Sequence, residues 1–125
     1  MKMLLLSSLL FSSAIAQACP DFSGQYETSW EILGAQQNGC DSLVLTHRNP
    51  NTGQARIESI QTSNDSDYHW DGDQLRFRYR TSDGTVFEGV YYKLANGVLR
   101  QDCMIHEPFG DNDHGVRTDW IPVQE

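Results

Sequence analysis

Residues 75–105 read LRFRYRTSDGTVFEGVYYKLANGVLRQDCMI, and the fold turns on where this stretch reverses direction. Asp83-Gly84 and Asn96-Gly97 are strong short-range hairpin signals, because both central positions of a type I′ turn need positive φ. Asp71-Gly72 lies about a dozen residues upstream, so the corners recur at the spacing of an antiparallel meander. With two-residue loops, Thr85 faces Ser82, Arg80 faces Phe87, Arg78 faces Gly89 and Phe77 faces Val90. At the next corner Leu94 faces Leu99, Tyr91 faces Asp102, Val90 faces Cys103 and Phe87 faces His106. Side chains alternate along a strand, so these pairings sort into two faces. One face carries Leu75, Phe77, Tyr79, Val86, Glu88, Val90, Tyr92, Leu94, Leu99, Gln101, Cys103 and Ile105, and is expected to be core. The other carries Arg76, Arg78, Arg80, Phe87, Gly89, Tyr91, Lys93, Arg100, Asp102, Met104 and His106.

Upstream, Phe22 to Ile32 alternates imperfectly, Ser42 to Arg48 forms a short run, and Gln54 to Thr62 pairs back across the Asn49–Gly53 loop. Residues 62–67 are polar turn, and Val116 to Val123 is a last strand whose Pro122 suits an edge. The expected fold is all-β: an antiparallel meander of about seven strands forming a small barrel or a strongly curled sheet.

The first 18 residues have the layout of an export signal. Lys2 supplies a positive start, Leu4 to Phe11 the apolar run, and Ala14-Ile15-Ala16 the small residues before a cut after Ala16 or Ala18. The run is far shorter than the roughly 20 residues that cross a bilayer, so no transmembrane segment is expected. A single β domain, residues 19–125, follows, with a secreted or periplasmic destination. The chain carries 9 basic and 17 acidic residues, net −8, and loses a further positive charge with Lys2. That field repels phosphate backbones and argues against nucleic acid as a partner.

Three cysteines survive removal of the signal: Cys19, Cys40 and Cys103. In an exported chain of this size the default use of cysteine is a disulfide. Cys19 with Cys40 would staple the first strand to the second, worth roughly 3 kcal/mol by loop closure. Cys40 with Cys103 is the rival. A lipid anchor on Cys19 is disfavoured, because Ala16 and Gln17 depart from the lipoprotein signal at both positions that matter.

The stretch Asp21-Phe22-Ser23-Gly24-Gln25-Tyr26-Glu27 resembles the first strand of calycins, the lipocalin and avidin kind of up-and-down barrel. Gly24, Gln25 and Tyr26 match the glycine, spacer and aromatic of that strand, with tyrosine where tryptophan is usual. Thr118-Asp119-Trp120 is similar to a turn between two late lipocalin strands, here close to the terminus. The resemblance implies a barrel that takes small apolar or aromatic ligands in its interior.

Candidate sites follow from the two faces. Arg76, Arg78 and Arg80 place three guanidinium groups on one strand face, about 7 Å apart by strand rise, near Phe87, Tyr91 and Met104. Such a patch suits an anionic group with rings beneath the cations, or else it is a solvent-facing cover paired with Asp102. Glu88 and Gln101 are the polar members of the expected core face, either as inward ligand groups or where that face opens to water. No cofactor and no metal is expected, since the acidic runs at 65–73 and 109–115 lack the order of a calcium loop and the four histidines are scattered. Asn64-Asp65-Ser66 is a glycosylation acceptor pattern.

The leading expectation is a non-enzymatic binding domain for a small molecule or a protein, using the arginine–aromatic face or the barrel interior. The alternative is a disulfide-stabilised structural or inhibitory module. A hydrolase ranks last, and a carboxylate cluster around a histidine would revive it.

Overall fold

Nine strands alternate in direction in the computed structural model, which describes residues 19–62, 67–109 and 112–123. They are β1 (Gly24–Glu27), β2 (Ile32–Asn38), β3 (Ser42–Arg48), β4 (Ala55–Gln61), β5 (Tyr68–Asp71), β6 (Gln74–Arg80), β7 (Val86–Lys93), β8 (Leu99–His106) and β9 (His114–Pro122). The sheet order is β4-β3-β2-β1-β9-β8-β7-β6-β5, and every ladder is antiparallel. The result is a nearly closed all-β barrel, as expected in class, with two strands more than expected.

Both extra strands have local causes. The run Phe22–Ile32 breaks at Thr28, whose hydroxyl accepts the amides of Trp30 and Glu31 at 3.2 and 3.1 Å and folds a turn. The chain then returns as β2, whose Gly, Gln and Asn residues carry little strand propensity of their own. Its full ladder to β3 holds it extended. β5 has only four residues, and its ladder to β6 pairs Tyr68 with Phe77 and Trp70 with Leu75.

The expected register of the late strands is corrected by one residue at two corners. Thr81 N–H donates to Thr85 O at 2.9 Å, and Gly84 N–H to Thr81 O at 3.0 Å. That is a three-residue loop closed by a glycine at φ 92°. The next corner repeats it, with Leu94 N–H to Val98 O at 2.8 Å and Gly97 at φ 89°. Type I′ turns need positive φ at two adjacent positions, and among the described residues only glycines adopt positive φ. Asp83 and Asn96 instead accept the amides of Thr85 and Val98 through their side chains. The extra residue turns β7 over, and the second loop turns the chain back. Leu75, Phe77, Tyr79, Leu99, Gln101 and Cys103 therefore lie inward as expected, whereas β7 presents Phe87, Gly89 and Tyr91 inward and Glu88, Val90 and Tyr92 outward. Arg78 pairs with Glu88, and Phe77 with Gly89.

The interior is packed around Phe22, Tyr26, Leu33, Leu43, Leu45, Ile60, Leu75 and Leu99, all at most 2% exposed. Phe22 plugs one region of it, its ring tilted against Trp70 with centroids 5.2 Å apart, its amide donating to Gln37 Oε1 and its carbonyl accepting the Tyr26 hydroxyl. Cys19 and Cys40 are disulfide-bonded, with Cα atoms 5.8 Å apart, and Cys103 is the free thiol. The rival Cys40–Cys103 pairing is thereby excluded, and the Cys19 sulfur is committed to Cys40 rather than to an acyl chain. A disulfide suits an oxidising compartment. Residues 1–18, which carry the export-signal pattern, lie outside the described residues. No described helix is long and apolar enough to cross a membrane.

Gly89 marks a close approach of two backbones. A Cβ there would lie 2.0 Å from the carbonyl oxygen of Asp102, whereas one on Gly34, also in a strand, would meet nothing within 4 Å. Gly89→Ala is expected to lose about 2–3 kcal/mol or more in urea unfolding, with Gly34→Ala within about 0.5 kcal/mol of the parent.

Candidate ligand site inside the barrel

On β3, Leu43 and Leu45 point inward, and the same alternation brings His47 inward after them. On β4, Ile60 points inward and Glu58 follows two residues earlier. His47 therefore meets two carboxylates: Glu31, from the β1–β2 turn, at 3.2 Å from Nδ1, and Glu58 at 3.4 Å from Nε2. Trp120 Nε1–H donates to Glu31 at 2.9 Å, and the Tyr68 hydroxyl donates to Glu58 at 2.8 Å. A continuous chain Trp120–Glu31–His47–Glu58–Tyr68 thus runs through side chains of β9, β3, β4 and β5. Nearby, Gln101 Nε2–H donates to the Tyr91 hydroxyl at 2.9 Å.

The charges in this chain stabilise one another. Hydrogen bonding to Glu58 raises the His47 pKa, against the opposing effect of burial. The His47 bond in turn holds the Glu58 carboxyl below its usual range. Burial pushes the pKa values of the Tyr68, Tyr79 and Tyr91 hydroxyls upward, so all three stay neutral. When protonated, His47 donates to a carboxylate from each ring nitrogen and has no free lone pair. The same holds for His106 on the outer surface, bonded to Glu88 at 2.7 Å and Asp113 at 2.9 Å. Carboxylate–histidine clusters are thus present at two places, each with both ring nitrogens engaged.

Around this chain lies a cavity of about 220 Å³, with Trp30 (59% exposed) at its rim and Glu31, Glu58, Tyr79, Tyr91 and Gln101 among its walls. A hollow of about 310 Å³ shares Trp30, Glu31, His47 and Arg56 with it and forms a vestibule. Elsewhere the described interior is closely packed around its buried aliphatic and aromatic side chains.

The expected site residues divide between two places. Tyr91 and Gln101 line the cavity, although Tyr91 was assigned to the arginine face; the turned-over β7 brings it inside. Phe87 moves inward for the same reason. Glu88, expected beside Gln101, is outside instead, paired with Arg78 at 3.4 Å. Arg76, Arg78 and Glu88 line a larger outer trough of about 830 Å³, with Asp102, Met104 and Arg117. Arg80 lines neither. The stripe is not neutralised by Asp102: Arg76 pairs with Asp71, while Asp102 takes Arg117 at 2.6 Å and the Tyr92 hydroxyl. Trp30 is a rim aromatic, whereas Trp70 packs against the core and Trp120 belongs to it.

Glu31, His47, Glu58, Tyr68, Thr118 and Trp120 escaped the sequence-based selection. The available signal was a polar residue continuing an apolar alternation, at His47 after Leu43 and Leu45 and at Glu58 before Ile60. Glu31 carried no such signal, because it sits in a turn. Among the described residues no group of three histidine, cysteine or acidic side chains is arranged to hold a metal ion. The acceptor pattern at 64–66 and Asp111 of the acidic run lie outside the described residues.

Compared with protein families, with curated proteins and with solved structures, the chain matches none. The nearly closed barrel is compatible with a calycin-like fold, and the likeness extends no further than that.

The charge chain makes stability depend on pH in a defined direction. The His47 contribution is complete below its ordinary value of 6.5 and is lost as pH rises through its raised folded value. The Glu58 contribution is present above its ordinary value of 4.5 and is lost as pH falls through its depressed folded value. The stability advantage of the parent over His47→Gln is therefore expected to be widest near about pH 5.5 and to shrink towards about pH 9, as read from urea unfolding at each pH.

Proposed function

We propose that this chain is an exported, non-enzymatic binding domain that takes a small polar ligand in the cavity beneath Trp30. The observation that carries this is a connected set of ionised and hydroxyl groups, largely withdrawn from water, grouped around unfilled space in an otherwise apolar barrel. Desolvating two carboxylates and a histidine is costly, and apolar residues of similar volume serve stability as well or better. Groups of that kind concentrate where a ligand or a reaction needs them. The doubly engaged histidines favour binding over catalysis. Export is supported by the leader pattern of residues 1–18 together with the disulfide.

A second reading, docking of a protein on the outer trough, is favoured by one observation. Met104 is 42% and Val116 41% exposed beside the Arg76–Arg78 stripe, so an apolar contact and fixed charges adjoin there. It ranks lower because the trough's charges are satisfied among themselves in contact with solvent, at little cost.

Amide chemical-shift mapping with a library of small polar fragments separates the two. The expected outcome is perturbation grouped at Gln101, Thr118 and Trp120, abolished by the space-filling Thr118→Ile. Perturbation grouped at Arg76, Arg78 and Met104 would instead move the site to the outer face.

A further inference from the structure

The vestibule and the cavity behind it differ in which of their charges are already spent. On the outer face Arg76, Arg78, Arg100 and Arg117 each hold a carboxylate. Arg48 and Arg56 hold none: neither makes an ion pair or a hydrogen bond among the described residues, and both line the vestibule. The mouth of the β3–β4 hairpin puts them there, with Arg56 opposite His47 and Arg48 opposite Ala55. Against these two guanidinium groups the vestibule sets one carboxylate, Glu31. Its Oε2 already accepts Trp120 Nε1–H at 2.9 Å and meets His47 at 3.2 Å. Deeper in, Glu58 is taken by His47 and by the Tyr68 hydroxyl.

The neutral groups repeat this pattern. Asn49, at the vestibule, accepts the amides of Asn51 and Thr52 through its Oδ1 at 2.8 and 3.4 Å, so what it offers a ligand is its NH2 group. Trp30 Nε1–H and the Tyr79 hydroxyl have no hydrogen-bond partner among the described residues. The Tyr91 hydroxyl accepts from Gln101 and keeps its own proton to donate. Donors are unspent here, and the carboxylates are spent. On these grounds we infer that the ligand is a small oxygen-rich molecule bearing an oxyanion, held by Arg48 and Arg56 in the vestibule while its remaining oxygens accept from Tyr79 and Tyr91 in the cavity.

Guanidinium groups bind carboxylate and phosphoryl oxygens through paired N–H donors, which is the chemistry these two arginines leave open. A cation would have to pass both arginines and displace His47 from its carboxylates. A neutral polyol would use the hydroxyl donors and leave the arginines facing water. The acidic balance of the whole chain, −8, opposes an anion only from a distance. Exposed charges beyond about 8 Å are largely screened at physiological ionic strength, whereas Arg48 and Arg56 stand at the site itself. Trp30, 59% exposed, borders vestibule and cavity alike, so one molecule can span the two.

This rests on the interior binding proposed above, and the test separates the two. Gluconate, its neutral amide gluconamide and the cation N-methylglucamine share one polyol chain. Each is titrated into the full domain at low, constant ionic strength, with amide shifts and the Trp30 indole N–H as readout. The expected result is gluconate binding at least about ten-fold tighter than gluconamide, N-methylglucamine binding weakest, and shifts grouped at Trp30, Gln101 and Thr118. Glucitol 6-phosphate, run beside gluconate, tells a phosphoryl group from a carboxylate by which of the two binds tighter. Arg56→Gln should weaken gluconate about ten-fold or more and Arg48→Gln several-fold, both leaving gluconamide within about two-fold. Neither side chain bonds to the rest of the fold, so both variants are expected to fold. Arg80, likewise without an ion pair, lines neither hollow, and Arg80→Gln should leave gluconate binding unchanged. Equal binding of gluconate and gluconamide, tightest binding of N-methylglucamine, or unchanged gluconate affinity in Arg56→Gln would overturn the oxyanion assignment while leaving the cavity as a ligand site. Silence of both anions while neutral fragments perturb the cavity would also overturn it. Perturbation confined to Arg76, Arg78 and Met104 would overturn both.

Discussion

Nine described strands that alternate in direction cannot close on themselves through an antiparallel ladder. Counting round the sheet from β4 to β5, the two edges run the same way, and no ladder joins them. The barrel is held at this seam by side chains. Tyr68 on β5 donates to Glu58 on β4, and Trp70 Nε1–H donates to the Cys40 carbonyl at 3.1 Å. The amide of Thr62 reaches Asp41 O at 3.0 Å beside them, and the Cys19–Cys40 disulfide fixes the same region. Unpaired sheet edges invite intermolecular pairing, so a polar bridge and a short β5 also protect the chain against its own copies.

The seam explains why the polar groups lie where they do. The Glu58–Tyr68 pair both crosses the junction and ends the interior charge chain. A carboxylate placed there needs compensation, and Tyr68 and His47 supply it from opposite sides. Glu31 and Trp120 then extend the chain across the barrel to β9. The cavity is the space that this ring of polar contacts leaves open. Architecture and candidate site are thus one arrangement, and disturbing Glu58 acts on both.

The outer face of the same sheet follows a different rule. Arg76 with Asp71, Arg78 with Glu88, Arg100 with Asp119 and Arg117 with Asp102 make a ladder of opposite charges in contact with water. Exposed pairs of this kind add little to stability and are weakened by salt. Their effect is to keep a broad, curved surface soluble while leaving Met104 and Val116 exposed between them.

The choice of Cys19 over Cys103 as the partner of Cys40 was left to the structure, whereas composition, strand alternation and the Asp-Gly and Asn-Gly corners determined the all-β meander, the inward set on β6 and β8 and the acidic surface. These depend on local geometry, which a sequence carries directly. Loop length was not fixed by the dipeptides, because Asp83 and Asn96 keep negative φ and cap the turn through their side chains, leaving positive φ to the glycine. One residue of difference exchanged Glu88 and Tyr91 between the two sides of the sheet, since side chains alternate with a period of two. The site itself was decided only by the tertiary structure. His47 and Glu58 meet across the β3–β4 hairpin and Glu31 reaches them from the turn before β2, but Trp120 from β9 and Tyr68 from β5 join them only when the sheet curls round.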